Sequence, residues 1–368
     1  MVVLCAAINN RINIKQLIRI SDSREACVKR RRSLQPDEAP QDQMRTPSHQ
    51  PRTLRLTAIN AHPRDTRVVF EEDSHVYYLD GIHKFPRSVS KVWGSFFEEF
   101  DAPGTIEKYF VSWSKKTSSK YFGIIQDGRI AGKSDDQIKL DIAAAWKEKG
   151  LDASTKGTYM HLQIELFLNG CACDTSMPEF QQFKDFLNEF ATARGWVPFR
   201  TEWSIYDERH WVAGQIDSVF EDSEGGFHMV DWKRVEADLD PQAGQHFGHY
   251  GTPPCDKMLD NSFNHYALQQ NLYATILADC YGLRVSSMWL LQFHEARHSY
   301  NAINIPFFIG TARTMIRLCS GLGGDYPMVF RSTATAVDLV NHSPFDEQPV
   351  KHKELSGVVW VTKKLELP

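Results

Sequence analysis

A predicted β-hairpin near the middle of this 368-residue chain constrains its fold more than any other feature. Residues 211–220 and 227–233 are both rich in β-branched and aromatic residues, as strands commonly are. The sequence Ser-Glu-Gly-Gly at 223–226 separates them and is typical of a turn. The pattern therefore predicts two antiparallel strands joined by a turn centred near Glu224.

The hairpin would bring three charged side chains together. With the turn centred as predicted, Asp217 lies opposite Asp231. Because side chains alternate between the two faces of a strand, Lys233 shares a face with Asp231. A shift of one residue would move Asp217 to the other face, so the arrangement depends on the turn length. The sequence predicts two carboxylates and an ammonium on one patch.

Two carboxylates on neighbouring strands repel each other unless a cation neutralises them. Mg²⁺ or Mn²⁺ suits such oxygen ligands, can polarise a phosphoryl oxygen and can activate a water for attack. Lys233 would hold that water or stabilise the developing charge. The alternative is an exposed hairpin with a cross-strand ion pair, which contributes little to stability. Apolar neighbours such as Ile216 and Val230 indicate half-buried strands, where an unpaired carboxylate is costly.

Other short motifs accompany the hairpin along the chain. In order they are Gly157-Thr158-Tyr159-Met160-His161 with Glu165 one helical turn later, Thr201-Glu202-Trp203, Gly214-Gln215-Ile216-Asp217, Asp231-Trp232-Lys233, and Gln269-Gln270-Asn271-Leu272-Tyr273. Each motif alone is weak evidence. Their order and spacing together resemble the PD-(D/E)XK nuclease superfamily, in its RecB and lambda-exonuclease branch, over about Val68 to Cys319. Within that branch the chain is similar to mitochondrial genome-maintenance exonucleases and related viral nucleases.

The resemblance implies a role for each motif residue. The implied metal ligands are His161, Asp217, Asp231, Glu165 and the backbone carbonyl of Trp232. The implied catalytic residues are Lys233, Asp217, Asp231, Glu202, Gln269 and Tyr273. The resemblance also implies Mg²⁺ or Mn²⁺ as the cofactor.

Each of these residues also has a purely structural alternative. His161 could be a helix histidine that is hydrogen-bonded in the core, and Glu165 a solvated helix residue. Glu202 could pair with Arg200 or Arg209. The glutamine and tyrosine of the last motif could simply line the flank of an apolar helix.

The order of predicted elements indicates an α/β fold. A helix is followed by three strands at about 198–206, 210–221 and 227–234, then by a further helix and strands, which favours a central mixed β-sheet flanked by helices. This order matches the restriction-endonuclease-like core of the PD-(D/E)XK superfamily. Before these strands we expect one helix that stops at Gly150 and another over Thr155–Leu168.

Composition limits the other classes of function. The chain is 42% hydrophobic and 24% charged with a formal net charge of −4, which is ordinary for a globular protein and argues against broad, nonspecific coating of DNA. No apolar run approaches the ~20 residues of a membrane span, so no membrane partner is expected. The seven cysteines are irregularly spaced, which disfavours a disulfide framework. Cys255, Cys280 and Cys319 are too dispersed for the clustered pattern of iron–sulfur nucleases, so no iron–sulfur cluster is expected.

Three regions are predicted along the chain. Residues 1–66 are rich in proline and polar residues and are expected to be a disordered tail, residues 67–325 to form the nuclease domain, and residues 326–368 to be a C-terminal extension. The first 21 residues lack acidic side chains and carry basic residues at helical spacing, as mitochondrial presequences do. The basic run at 29–32 suits a nuclear signal instead. Either interpretation implies an intracellular protein.

A segment rich in lysine and aromatic residues lies before the predicted nuclease strands, at about 96–121. Such a pattern suits a single nucleic-acid strand, with amines on phosphates and rings on bases. Core packing combined with surface lysines would explain the same residues.

The sequence therefore favours a Mg²⁺- or Mn²⁺-dependent deoxyribonuclease. The branch resemblance further implies an exonuclease acting on single-stranded or flapped DNA ends in repair, replication or recombination. The nearest alternative is a structure-specific endonuclease. Two further alternatives are a non-catalytic nucleic-acid-binding module of the same fold and a hydrolase of small phosphoesters. Cleavage polarity and protein partners do not follow from these residues.

Overall fold

The computed structural model describes residues 55–321 and the short strand Trp360–Val361. The described chain divides into two compact units, one made of the residues up to Phe96 and from His161 onward, the other of Phe97–Met160. The first unit is of the α/β class, with a mixed sheet flanked by helices. The second unit is helical.

The elements follow one another in this order. They are α1 Arg55–Ile59, β1 Val68–Glu71, β2 Val76–Leu79, β3 His83–Lys84, β4 Arg87–Ser88, α2 Val89–Gly94, α3 Ala102–Lys115, α4 Phe122–Ile130, α5 Asp135–Leu168, α6 Pro178–Asp185, β5 Val197–Asp207, β6 Val212–Glu221, β7 Phe227–Arg234, α7 Ser262–Tyr281, β8 Val285–Phe293, β9 Asn301–Ile305, α8 Ile309–Gly321 and β10 Trp360–Val361. The three predicted central strands are confirmed to within two residues at each end.

The large sheet has seven strands in the order β10-β9-β8-β7-β6-β4, and β5 also pairs with β6. The pairs β4/β6 and β7/β8 are parallel, and the other pairs are antiparallel, so the sheet is mixed. Strands β1, β2 and β3 form a separate small antiparallel sheet. The expected mixed-sheet architecture is confirmed at this level.

The predicted register of the central hairpin is also confirmed. Ser218 of β6 pairs with Val230 of β7, which places the next two residues, Asp217 and Asp231, opposite each other. The turn is held by Asp222, whose carboxylate accepts backbone N–H groups from two turn residues at 2.9 and 2.7 Å. These hydrogen bonds fix the loop length and therefore the face on which Asp217 lies.

The two faces of β7 contact different helices. The Trp232 ring packs against Phe183 of α6 and against Phe186, which directly follows that helix. Because neighbouring side chains alternate, Lys233 points to the opposite face, where its ammonium lies 4.5 Å from the ring centre of Tyr266 in α7. The aromatic side anchors the strand, and the other side presents its charged groups.

The prediction that a helix stops at Gly150 is wrong. Helix α5 runs without interruption from Asp135 to Leu168. A glycine inside a helix costs only about 1 kcal/mol relative to alanine, and local contacts beyond it offset this. Thr155 bonds back to the carbonyl of Leu151 at 2.9 Å, and Lys156 pairs with Asp152 one turn away at 2.9 Å.

The folded part of the chain also begins earlier than the predicted boundary at residue 67. Leu56 of α1 is buried, and its N–H donates to the Asn169 side chain at 2.9 Å. Asn60 donates to the carbonyl of Phe199 in β5 at 2.7 Å. One buried leucine and two side-chain amides fix this segment, a signal too sparse to detect among the polar residues around it. The presequence-like segment, the basic run and most of 326–368 lie outside the described residues.

The second unit has its own apolar core. Its buried residues come from three helices and are Ile106, Phe110, Ile125, Ile138 and Ile142. Gly128 of α4 allows the close approach of α5, since a Cβ there would lie 2.6 Å from the Ile138 side chain. This contact fixes how α4 packs on α5 within the unit.

Candidate metal centre

The candidate site lies where strands β6 and β7 separate. The backbone ladder between them ends at the pair of Ser218 and Val230. At the next position, the carboxylate Oδ2 of Asp217 accepts the N–H of Trp232 at 2.9 Å. A side chain thus takes the place of a backbone acceptor at the point of divergence.

Three predicted site residues converge there. His161, Glu202 and Asp217 each offer one ligand atom, and these atoms all lie within 4.8 Å of one another. The Nδ1 atom of His161 is 3.6 Å from a carboxylate oxygen of Glu202 and 3.6 Å from one of Asp217. The side chains of His161 and Asp217 are 26% and 13% exposed, so the cluster is sheltered yet open to solvent. It is the one group of this kind among residues 55–320.

Glu202 reaches the cluster through an unusual backbone conformation. Its φ is +42°, in the left-handed region that non-glycine residues rarely adopt. Its neighbours Thr201 and Trp203 pair regularly with β6, and the Glu202 carbonyl accepts the Gln215 side-chain amide at 3.1 Å. The sheet on either side therefore holds a strained residue whose carboxylate faces Asp217.

The alternative ion pairs proposed for Glu202 do not form. Arg200 contacts Asp65 at 2.7 Å, and Arg209 contacts Asp207 at 3.4 Å. Among the described residues, His161 is the partner within ion-pair distance of Glu202.

The charges of the cluster alter the protonation of His161. Burial alone would lower the pKa of His161, but the carboxylates of Asp217 and Glu202 outweigh it and raise the pKa to about 9. Burial raises the pKa of Asp217. In this arrangement a protonated imidazole balances the two carboxylates. Its Nε2 lies 2.8 Å from the Trp232 carbonyl, to which it donates.

Asp231 and Lys233 form a pair beside the cluster. The Lys233 ammonium is 2.7 Å from Oδ2 of Asp231, whose side chain is 1% exposed. Burial raises the pKa of Asp231. Burial opposes protonation of Lys233, but the charges of Asp231 and Asp217 outweigh it and raise the Lys233 pKa well above its ordinary value. Lys233 is therefore a fixed cation.

Two of the predicted side-chain ligands, Asp231 and Glu165, do not join the converging trio. The Oδ1 atom of Asp231 is buried without a hydrogen-bond partner in the described part of the chain. Glu165 lies one turn after His161 on α5, and burial, followed by repulsion from Glu202 and Glu72, raises its pKa to about 7. Carboxyl groups with a pKa raised by burial and by neighbouring carboxylates are common at functional sites.

The last predicted motif packs against the base of the site. Gln269 donates to the Tyr273 hydroxyl at 3.0 Å, and Tyr273 is 4% exposed. Burial first, and then the charges of groups that include Asp217 and Asp231, raise the Tyr273 pKa well above its ordinary value. The tyrosine is therefore a neutral hydroxyl close to both carboxylates.

Gly214 permits this placement of Tyr273, which leads to a testable expectation. A Cβ at Gly214 would lie 2.6 Å from Cε1 of the Tyr273 ring and 2.9 Å from Cγ2 of Val89. Gly214→Ala should therefore lower the free energy of unfolding by about 1–3 kcal/mol through overpacking. Gly94→Ala, with open space around it, is the matched control. Equal melting temperatures for the two variants would contradict this packing.

Sequence analysis missed three residues near the site. Tyr77 of β2 is buried, and burial, then Glu202 and Asp217, raise its pKa above the ordinary value. Glu72 interacts with Glu165, and Tyr266 contacts Lys233. Helical spacing could have found Tyr266, which lies on the side of α7 that carries Gln269 and Tyr273. No local pattern marks Tyr77 or Glu72.

The donors at the site fit a divalent cation. One imidazole nitrogen and two carboxylates converge, and a further buried carboxylate oxygen beside them has no partner in residues 55–320. A mixed nitrogen and oxygen set of this kind suits Mn²⁺ and accommodates Mg²⁺. The Trp232 carbonyl, a predicted ligand, instead accepts a hydrogen bond from Nε2 of His161, whose Nδ1 atom faces the two carboxylates.

Cation binding should depend strongly on pH. The His161 pKa is raised to about 9, so a cation must displace its proton at neutral pH. The same proton stabilises the cation-free protein below the unfolded-state pKa of about 6.5, and this stabilisation is lost as the pH rises through about 9. Manganese affinity measured by calorimetry should therefore rise by up to about tenfold per pH unit between 7 and 9. His161→Gln should flatten this dependence, and an equally steep profile in that variant would contradict the assignment.

Comparisons with known proteins leave the family open. No family model matches the sequence, and no curated protein matches it. One solved structure, described as "Crystal structure of SSO0001", shares 14% sequence identity, covers 50% of this chain and 70% of its own, and gives a TM-score of 0.25. A likeness at this level carries no argument about function. Among the described residues, no helix is long and apolar enough to span a membrane.

Proposed function

We propose that this protein is a divalent-metal-dependent deoxyribonuclease of the PD-(D/E)XK type. The observation that carries the proposal is the convergence of His161, Glu202 and Asp217 at the separation of β6 and β7, with the Asp231–Lys233 pair beside them. A structural role alone does not account for a strained Glu202, a buried carboxylate oxygen without a partner, and a fixed ammonium in one place.

His161, Glu202 and Asp217 would hold the ion, and the partnerless Oδ1 atom of Asp231 would complete the set while its Oδ2 atom keeps the pairing with Lys233. When bound, the ion supplies Lewis-acid activation of the phosphodiester and lowers the pKa of a bound water. The His161 proton leaves to solvent on binding, since the ring nitrogen must be neutral to act as a ligand.

Lys233 stabilises charge at the scissile phosphate. Its raised pKa keeps it an ammonium, so it acts as a donor and not as a base. The Tyr266 ring and the Asp231 carboxylate hold that ammonium in place, 4.5 Å and 2.7 Å away respectively. From there it donates hydrogen bonds to a non-bridging phosphoryl oxygen or to the attacking water.

Gln269 and Tyr273 have a positioning role. Burial and the nearby carboxylates keep the tyrosine hydroxyl neutral, and the hydrogen bond donated by Gln269 orients it. Substitution of either residue would shift the acidic residues relative to the substrate without removing a ligand.

The proposed substrate is DNA with single-stranded or flapped ends, cleaved exonucleolytically. This preference follows from the sequence resemblance, and an endonuclease would use the same chemistry.

End-labelled single-stranded, duplex and circular DNA, each incubated with Mg²⁺, Mn²⁺ or EDTA, tests the proposal. Metal-dependent release of nucleotides from linear single strands is the expected result. Cleavage of circles would indicate an endonuclease. The absence of metal-dependent cleavage of every substrate would overturn the nuclease assignment.

A further inference from the structure

The second unit carries an aromatic surface formed by rings that contact one another. Tyr109 and Trp113 of α3 stack with ring centres 5.9 Å apart and planes inclined by 22°. Trp113 lies 4.3 Å from Tyr121 and 6.1 Å from Trp146, and all four rings are partly exposed. Trp113, Tyr121 and Trp146 pack against the apolar core of the unit and remain partly exposed.

Lysines accompany these rings in a stretch that contains no acidic residue. Between residues 108 and 126 there are four lysines, at 108, 115, 116 and 120, and no aspartate or glutamate. The ammonium of Lys108 lies 5.2 Å from the centre of the Tyr109 ring, and that of Lys120 lies 4.9 Å from the centre of Tyr121. Cation–π contacts at exposed sites are weak, so they leave these ammonium groups available to an anion.

Several other cations of the same unit are paired with carboxylates. Lys133, Lys139 and Lys156 contact Asp141, Glu107 and Asp152 at 2.7, 2.7 and 2.9 Å. In contrast, no ion pair forms at Lys108, Lys115, Lys116 or Lys120 within the described residues. Four lysines without an ion pair therefore lie in the same segment as Tyr109, Trp113 and Tyr121.

We propose that this surface, defined by Tyr109, Trp113, Tyr121, Lys115, Lys116 and Lys120, binds single-stranded nucleic acid. A single strand presents phosphates to lysines and unstacked bases to aromatic rings, and both groups occur here side by side. A duplex keeps its bases stacked inside and would engage the lysines alone. An acidic peptide would match the charge but would leave the rings without a planar partner. The inference rests on the proposed function only in that a nuclease would meet single-stranded DNA as its substrate. Binding at this surface does not itself require cleavage.

The test measures binding of the full chain to a fluorescent 20-nucleotide single strand in EDTA, where a metal-dependent enzyme cannot cut. The variant Lys115→Ala/Lys116→Ala/Lys120→Ala removes three unpaired lysines. The matched control Lys133→Ala/Lys139→Ala/Lys156→Ala removes three paired lysines from the same unit. Circular dichroism checks that both variants fold.

The first variant should bind the strand at least tenfold more weakly than the control. The slope of log affinity against log salt concentration should be shallower by about 2 in the first variant than in the control. This difference corresponds to about 0.7 for each of the three lost phosphate contacts on a single strand. Tyr109→Ala should weaken binding by about tenfold with little change in the salt slope, because stacking is not ionic. Wild-type protein should prefer the single strand to a duplex of equal length.

Equal losses in the two triple variants, or equal affinity for single strand and duplex, would overturn the inference. Failure of the proposed function gives a different pattern, in which wild-type protein binds the strand in EDTA but does not cut it with Mg²⁺ or Mn²⁺. If wild-type protein cleaves DNA and the first variant binds the strand as well as wild type does, this surface is not the binding site, and the nuclease assignment still stands.

Discussion

Lys233→Met is expected to lower the rate of DNA cleavage by about 100- to 1,000-fold, the usual cost of removing one preorganised donor to developing charge. Lys233 is the cation beside the proposed ligands, and its pKa is raised by Asp231 and Asp217. Methionine preserves most of the side-chain length and its contact with Tyr266. Single-turnover cleavage with saturating Mn²⁺ measures the effect on the chemical step.

Stability must be separated from catalysis in this variant. Removing one partner of a buried ion pair costs about 3–5 kcal/mol when the other stays charged. Burial already raises the pKa of Asp231, so that carboxyl can take up a proton and limit the loss. Lys233→Met should therefore be more stable at pH 6 than at pH 8, because a group with a raised folded-state pKa destabilises the protein increasingly as the pH rises.

Two further variants complete the comparison. Asp231→Asn/Lys233→Met, which has no buried charge at the pair, should regain stability but stay inactive. Lys91→Ala, at an exposed lysine of the same unit, should retain full activity. Wild-type cleavage rates in Lys233→Met would refute the assigned role.

Asp217→Asn is expected to abolish both cation binding and cleavage, with a loss of activity of at least about 1,000-fold. Asparagine can still accept the Trp232 N–H through its side-chain oxygen, so the local backbone contact survives. What is lost is one anionic ligand and the partner of His161. In wild-type protein, Mn²⁺ at about 100 times its dissociation constant should stabilise the fold by about 2.7 kcal/mol. Asp217→Asn should show no such increase.

Asp207→Asn is the matched control for this second prediction. Like Asp217, Asp207 is a buried carboxylate, but it lies at the end of β5 and pairs with His210. Burial opposes its ionisation, while the hydrogen bond and charge of His210 and the charge of Arg209 outweigh burial and lower its pKa to about 2. Its substitution should lower stability above pH 4, where the carboxylate is ionised in both states, and leave the manganese effect intact. An Asp217→Asn protein that keeps manganese stabilisation would exclude Asp217 as a ligand.

The parts of the site that follow from local chain geometry could be predicted from sequence. The turn residues fix the register of the hairpin, and side-chain alternation then fixes the shared face of Asp231 and Lys233. The spacing of Gln269 and Tyr273 on one helix likewise predicts their contact.

Other parts depend on tertiary structure that no local pattern encodes. Glu202 reaches Asp217 through a positive φ within β5, which regular alternation along the strand does not predict. Tyr77 arrives from a separate small sheet, and its position depends on how that sheet packs. Helix α5 continues through Gly150 because contacts in the turn that follows the glycine offset its intrinsic cost.

Crystals of the protein soaked in Mn²⁺ show whether the converging side chains bind a cation, because anomalous scattering locates the ion without assuming any activity. A manganese peak is expected within coordination distance of His161, Glu202 and Asp217, and it should be lost in crystals of Asp217→Asn. Manganese bound only at other places, or the same peak retained in Asp217→Asn, would contradict this expectation.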